Sequence, residues 1–251
     1  VTREAARQWT SDLAAKYLPG EADGYKAFLE LVSDACPPGG IVADLGCGDE
    51  DFLTFLLERG ARITGVDDLA FEGNYDSYLR ADLERELPQE PQTLDLVASK
   101  FLLEHIADPD GFLRRIYTAL KPGGSVILMT PNILYYPYAA NYLLSRFLPQ
   151  ELRMRLVSQI TGRRDADIFP VAYACNTPAR LRRSLENAGF EVVFLKTCND
   201  ILVSAISRPL GVLAVAYEKL VNLAGIKGVK GFIIARGRKG GADRNANDPH
   251  L

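Results

Sequence analysis

Histidine and cysteine are scarce in this chain of 251 residues. There are two of the first, His105 and His250, and four of the second, Cys36, Cys47, Cys175 and Cys198, with no Cys-x-x-Cys among them. Without ligand-like spacing a metal site is not expected, and the scattered thiols read as reduced rather than paired. Neither sign of charge dominates: 29 basic and 32 acidic side chains leave a net charge of −3. No global basic field exists to attract nucleic acid, and no nucleic-acid partner is expected. The sequence also lacks an N-terminal stretch with the apolar core of a secretory signal, so a cytoplasmic location is expected. The apolar stretch from Ile201 to about Ala224 is interrupted by Arg208, Pro209, Glu218 and Lys219. An amphipathic or buried helix fits it better than a membrane span, with peripheral membrane contact as a minor alternative. Internal repeats are absent.

What is present is an apolar content of 47%, enough for one substantial α/β domain but not for two. Its most informative segment is Ile41-Val42-Ala43-Asp44-Leu45-Gly46-Cys47-Gly48, followed by Asp49, Glu50 and Asp51. An apolar run ending in Gly-x-Gly reads as the first strand and tight turn of a doubly wound sheet, with an amphipathic helix next and a ligand at the strand's carboxyl end. Three carboxylates at that helix start oppose a phosphate. Each would cost roughly 1 to 3 kcal/mol within ~6 Å of one. A cationic ligand suits the loop better.

The remaining pattern predicts helices over about Thr2–Tyr17 and Gly24–Ala35, then strands at Ile41–Leu45, Arg62–Val66, Ser77–Ala81, Leu94–Ser99 and Ser125–Thr130, with helices after the first, fourth and fifth. Such alternation means a parallel sheet. The segment between the second and third strands is too short for a generous crossover helix and is expected to be irregular. A long aromatic and arginine-rich helical stretch follows Asn132 and reaches Arg164, and a helix runs from about Pro178 to Ala188. Strands at Glu191–Thr197 and Gly231–Gly237 complete the set. Residues 1–238 are thus expected to form one domain, with 1–38 as an N-terminal helical cap, 132–177 as a cap insertion, and a polar, glycine-rich tail at 239–251 expected to be disordered.

The segment Asp44-Leu45-Gly46-Cys47-Gly48-Asp49-Glu50 resembles the first motif of the class I S-adenosylmethionine-dependent methyltransferases, of the small-molecule, type 11-like kind, in which an acid precedes Gly-x-Gly-x-Gly. The departure is Glu50, where the family usually has its third glycine. S-adenosylmethionine carries a sulfonium, an ammonium and a carboxylate without phosphate, which agrees with the acidic loop. The resemblance implies a Rossmann-like, seven-stranded, mostly parallel sheet with helices on both faces and a helical cap, its last two strands forming an antiparallel, hairpin-like edge.

It also implies a cofactor site. Leu45, Gly46, Cys47 and Gly48 would form its loop. Asp44 would either meet the cofactor ammonium through water or tie down the glycine loop. Asp67 ends Ile63-Thr64-Gly65-Val66-Asp67 about 20 residues past the glycines, where an acid can accept both ribose hydroxyl hydrogen bonds, with Asp68 as its nearest rival. In Leu79-Arg80-Ala81-Asp82-Leu83, Asp82 would take the adenine amino group and the Leu83 N–H a ring nitrogen. Ser99 and Lys100 would stand near the methionine end. Leu120-Lys121-Pro122-Gly123-Gly124 resembles the family's turn into strand five.

Methyl transfer to a hydroxyl needs orientation and removal of a proton. His105, in Leu102-Leu103-Glu104-His105-Ile106, is the candidate base; in many relatives the matching histidine is structural instead, and both readings stay open. The quinone-biosynthetic O-methyltransferases resemble this segment but carry an extra acid where Phe101 stands. Tyr135, Tyr136 and Tyr138, with Trp9, Tyr17 and Tyr25, would either line an amphipathic acceptor pocket or pack a cap against the sheet. Arg146, Arg153, Arg155, Arg163 and Arg164 would either receive an anionic acceptor or form a solvated face. The leading expectation is O-methylation of a small-molecule acceptor, a sugar, lipid-linked or secondary-metabolite hydroxyl. A catalytically silent cofactor-binding protein and a nicotinamide-dependent oxidoreductase are the alternatives. Oligomeric state is left open.

Overall fold

The computed structural model describes residues 3–18, 24–70, 72–149, 151–152, 171–201 and 206–241. Two helices, α1 (Arg3–Tyr17) and α2 (Gly24–Ala35), precede β1 (Ile41–Leu45), β2 (Arg62–Asp67), β3 (Ser77–Arg80) and β4 (Leu94–Lys100). Then come α3 (Pro109–Ala119), β5 (Leu120–Pro131), α4 (Tyr136–Phe147), α5 (Pro178–Asn187), β6 (Glu191–Cys198), α6 (Arg208–Leu223) and β7 (Phe232–Arg238). The seven strands form one sheet in the order β3-β2-β1-β4-β5-β7-β6. All neighbours are parallel except β7, which runs antiparallel to both β5 and β6. The expected Rossmann-like sheet is present, with β7 inserted between β5 and β6.

The interior strands are largely buried on both faces, as strands between helical layers must be, while the edge strands β3 and β6 are largely exposed or half-buried. Val42, Leu96, Ile127 and Ile234 point to one face, against Phe28 and Val32 of α2 and Leu53 and Leu56. Val97, Val126 and Ala235 point to the other, against Phe112, Leu113 and Ile116 of α3 and Leu181 and Leu185 of α5. The amphipathic stripes of these helices therefore decide which faces they cover. Side-chain caps open two of the helices. Asp108 accepts from the Gly111 N–H before α3, and Thr177 from the Arg180 N–H before α5, each with a proline in the first turn. Helix α1 packs on α6 instead, where Leu18, Ala214 and Val215 meet Ile201.

Two local expectations need correction. No amphipathic α-helix follows β1; the chain makes a short 3-10 helix at Thr54–Arg59, closed by Gly60 in the left-handed conformation. Asp49, Glu50 and Asp51 are therefore not at an α-helix N-terminus, and the side chains of Glu50 and Asp51 are used in tertiary contacts described below. Strand β5 begins at Leu120, which pairs with Leu94. The Lys121–Gly124 segment forms a bulge within it, with Gly123 at φ +84°, before Ser125 resumes register opposite Leu96. The described residues of the β2–β3 connection contain no helix, as expected. The helical stretch after Asn132 is described as α4 and at 151–152; its continuation to Arg164, with Arg153, Arg155 and Arg163, lies outside the described residues, as does most of the tail. No helix among the described residues is long and apolar enough to cross a membrane.

Candidate functional site

The carboxyl ends of β1, β2 and β4 lie side by side, with Leu45 opposite Val66 and Asp44 opposite Ala98. This edge collects most of the residues singled out from the sequence. Gly46 turns the chain at φ +71°, its N–H donating to the Val66 carbonyl at 2.8 Å. A side chain there would place Cβ 2.9 Å from the Leu102 Cβ. Gly48 donates its N–H to Asp67 Oδ2 at 3.0 Å, so the second strand's terminal acid holds the loop of the first. The Ser99 hydroxyl donates to the Leu45 carbonyl at 2.9 Å, tying β4 to β1. Cys47 is buried, and burial followed by the charges of Asp44 and Asp67 pushes its thiol up to about 12. It is no nucleophile at neutral pH.

Asp44 is fully buried. Its Oδ2 accepts from the Tyr75 hydroxyl at 2.9 Å, while Oδ1 has no hydrogen-bond partner. Burial raises its pKa to about 8, against the opposing pull of the Tyr75 hydrogen bond and the Lys100 charge. An orphaned carboxylate oxygen at the end of the first strand is costly unless a donor or cation meets it. Tyr75 in turn accepts from the Leu53 N–H at 3.0 Å and stacks on Tyr78 with centroids 5.6 Å apart. The Tyr78 hydroxyl donates to Asp51, whose other oxygen takes the Asn74 N–H at 2.7 Å. Thus Asp51 pins the irregular β2–β3 connection beneath the loop. Glu50 pairs with Lys100.

Asp67 also accepts from the Leu69 N–H at 3.2 Å. Its neighbour Asp68 has a raised pKa, first through a hydrogen bond with Asp67 and then through burial. A small cavity of about 90 Å³ lies against Asp67, walled by Gly65, Leu69, Tyr78 and Arg80. Asp82 is engaged by its own turn, accepting from the Glu84 N–H at 3.0 Å and facing Arg85 at 3.2 Å. Leu83 is buried and its carbonyl accepts from Arg115 at 2.8 Å.

Beyond β4 the backbone reaches φ +59° at Phe101, an uncommon conformation for an aromatic residue and a form of strain that collects at functional sites. Lys100 lies over the rings of Tyr25, Phe52 and Phe101, 5.0, 4.9 and 5.8 Å from their centroids. His105 stands in the following turn with Nε2 4.0 Å from Glu104 Oε1. Glu104 is buried, which raises its pKa to about 7, and its Oε2 accepts from the Thr130 hydroxyl at 3.1 Å. Asn176 donates to the Thr130 oxygen at 2.6 Å, closing a buried network beside His105.

A larger cavity, about 600 Å³, opens between α1, the start of α2 and the ends of β4 to β7. Asp200, immediately past β6, faces it and accepts from the Tyr138 hydroxyl. Asp200 was not legible from the sequence. The cavity is assembled from six separate chain segments, and only an acid placed just after a strand gave any local sign. Tyr75 and Tyr78 were also missed as partners of the loop; two tyrosines three apart, one ending a connection too short for a helix and one in the next strand, were the available signal.

A methyltransferase-domain family matches residues 15–195. Among curated proteins, the ubiquinone biosynthesis O-methyltransferase of Idiomarina loihiensis is 32% identical over 140 residues, covering 51% of this chain and 57% of that protein. The ubiquinone biosynthesis O-methyltransferase of Aeromonas salmonicida is 30% identical over 162 residues, covering 60% of this chain and 63% of that protein. The chain thus spans less than two thirds of the length of these relatives. Among solved structures, an S-adenosylmethionine-dependent methyltransferase from Mesorhizobium loti superposes with a TM-score of 0.52 at 19% identity, covering 87% of this chain and 98% of that one. The geranyl diphosphate C-methyltransferase of Streptomyces coelicolor, in complex with Mg2+, geranyl diphosphate and S-adenosyl-L-homocysteine, gives 0.54 at 10% identity, covering 86% and 80%. At such identities the solved structures speak for the fold.

Proposed function

Because the chain belongs to the class I S-adenosylmethionine-dependent methyltransferases, we propose that it methylates a hydroxyl of a small-molecule acceptor of the sugar, lipid-linked or secondary-metabolite kind. The observation that carries the cofactor half of this reading is the unpartnered Oδ1 of buried Asp44, with Asp67 close by at the same sheet edge. A cationic ligand answers that charge where a phosphate would not. The cofactor supplies the methyl group on a sulfonium that is already a good electrophile. The protein's part is to hold and orient. Asp44 would meet the cofactor ammonium, Asp67 would accept from the ribose hydroxyls, and the Gly46–Gly48 loop would allow close backbone approach. Asp82 and Leu83 would flank the adenine, with Asp68 the nearest rival of Asp67 for the ribose. Ser99 fixes the spacing of β1 and β4, and Lys100 stands at the methionine end with Glu50 as its counter-ion. The O-methyltransferase relatives support oxygen as the methylated atom.

His105 is the proposed base. Its neighbour Glu104, buried with a pKa near 7, lies 4.0 Å from the imidazole and, when ionised, favours the protonated ring electrostatically. His105→Ala is expected to lower kcat about 100-fold or more with cofactor affinity unchanged; an unaltered kcat removes His105 as base and leaves it a structural residue.

The reading is tested by calorimetric titration with S-adenosylmethionine and S-adenosylhomocysteine, with NADH as control. Micromolar binding of the sulfur ligands alone is expected, and binding of NADH instead overturns it. In the same assay Asp67→Ala should weaken S-adenosylhomocysteine binding by roughly 1.5 to 3 kcal/mol, because the charged ribose hydrogen bonds and the Gly48 tie are lost together. Unchanged affinity would show that the ribose lies elsewhere.

A further inference from the structure

Helix α6 is apolar nearly all the way round, yet α1 covers only one of its sides. Gly211 lies against Thr10 of α1, and Ala214 and Val215 pack with Leu13, Ala14 and Leu18. On the opposite side Leu213, Leu220 and Leu223 recur at helical spacing and are 63, 66 and 77% exposed, with Ala216 exposed between them. Ile226, just past the helix, is exposed as well. Tyr136 at the start of α4 extends this surface through an edge contact with Tyr217, their centroids 4.9 Å apart. A helix apolar all round is ordinarily buried all round, and an exposed apolar stripe marks a contact site. Helix α6 also lies past residues 15–195, the stretch matched by the methyltransferase family, so this face belongs to the present chain rather than to the matched region.

Charge identifies the occupant. Between residues 206 and 230 the only acid is Glu218, which is buried. The exposed charges of that segment are Arg208, Lys219 and Lys227, all basic, in a chain whose net charge is −3. Among the described residues none of the three pairs with a carboxylate. Arg208 lies over the ring of Trp9 at 5.6 Å, and Lys219 over that of Tyr17 at 5.7 Å. Cations and amphipathic rings thus flank the apolar stripe, a combination suited to the headgroup region of a bilayer. We propose that the exposed face of α6 docks on an anionic lipid bilayer, with Leu213, Leu220 and Leu223 entering the acyl boundary and Arg208, Lys219 and Lys227 meeting the headgroups. The helix has 16 residues, a length of about 24 Å. With one side taken by α1, it lies along the surface and does not cross. A second copy suits the face less well. A two-fold contact would set the same three cations against one another, with no exposed acid in the segment to answer them. The docking face stands independently of the methyltransferase reading.

The full chain is sedimented with vesicles of phosphatidylcholine alone and of phosphatidylcholine mixed with phosphatidylglycerol. Binding to the mixed vesicles is expected, about tenfold or more tighter than to the neutral ones, with the gap closing as salt is raised. Leu220→Gln combined with Leu223→Gln changes only exposed side chains, so the protein should keep its circular dichroism spectrum and melting temperature. It should bind the mixed vesicles about 100-fold more weakly. Lys219→Gln combined with Lys227→Gln should weaken binding to the mixed vesicles about tenfold and leave binding to the neutral ones unchanged. Equal binding to both vesicle types, no binding to either, or leucine variants that bind like the parent each overturn the proposal. A parent that is dimeric without lipid, and monomeric once both leucines are replaced, also overturns it, since a second copy then covers the face. Titration of the same proteins with S-adenosylhomocysteine reports separately on the methyltransferase reading, which loss of vesicle binding leaves untouched.

Discussion

An Asp44→Asn protein is expected to be more stable than the parent at pH 9, equal to it near pH 4, and to bind S-adenosylmethionine far more weakly. In the unfolded chain an aspartate titrates near its ordinary 3.8, whereas folded Asp44 keeps its proton up to about 8. Between these values the folded state holds one more proton than the unfolded state, so stability falls as pH rises. Below 3.8 both states are protonated and above 8 both are ionised, so the difference is then constant. Four units at 1.36 kcal/mol each amount to something on the order of 5 kcal/mol. Asparagine has no charge to desolvate and its carbonyl can still accept from Tyr75, so it escapes that cost. Denaturant unfolding of the two proteins at pH 4, 7 and 9 measures the difference, and parallel profiles would show that Asp44 is not held protonated. A bound cation favours the carboxylate, so binding below pH 8 must release a proton, and parent affinity should rise by up to tenfold per pH unit before levelling near 8. Calorimetry in buffers of different ionisation enthalpy reads that proton directly. In the variant it should vanish, along with roughly 2 to 4 kcal/mol of affinity.

Gly46→Val is expected to remove cofactor binding and to cost about 2 to 5 kcal/mol of stability. The left-handed backbone at φ +71° accounts for about 1 to 2 kcal/mol with any side chain and more with a β-branched one. The new Cβ would sit 2.9 Å from the Leu102 Cβ, an overpacking of about 1 to 3 kcal/mol. Relief requires the loop to move away from β4, which also breaks the Gly48–Asp67 bond. A melting temperature lower by on the order of 10 °C is expected. Gly123→Val is the control: its φ is +84° but no atom lies within 4 Å of the added Cβ. It should show the backbone cost alone, with S-adenosylhomocysteine affinity retained. Equal losses in the two variants would mean that the contact with Leu102 plays no part.

The interior strands were legible because burial on both faces leaves apolar runs, as at Ile41–Leu45, and the helices at Gly24–Ala35 and after Pro178 because one apolar stripe recurs at helical spacing. The helix expected after β1 failed for a physical reason. Phe52, Leu53, Phe55 and Leu56 have helical spacing, yet Asp51 is drawn to Tyr78 and Asn74 on the neighbouring connection, and the chain tightens into a short 3-10 turn. The acids were read as free charges at a helix start, whereas Glu50 and Asp51 are consumed by Lys100 and Tyr78. Asp82 illustrates the reverse. Its position matches the family's third motif, while its carboxylate is occupied by its own turn. Spacing reports where a side chain begins, and not which distant residue it meets.

Strand β7 lies in the interior of the sheet, yet it follows all six other strands in the sequence. A nascent chain emerging from the ribosome can assemble β3-β2-β1-β4-β5 as it is made. It then carries the open edge of β5 at Ser125–Pro131, and β6 has nothing to pair with, until residues 232–238 arrive to bridge them. During that interval a long apolar edge, Val126-Ile127-Leu128-Met129, is available to any other extended segment. Synthesis therefore passes through a stage of exposed pairing capacity that only the final strand closes, and chains halted before Phe232 should be the ones that aggregate or are taken up by chaperones.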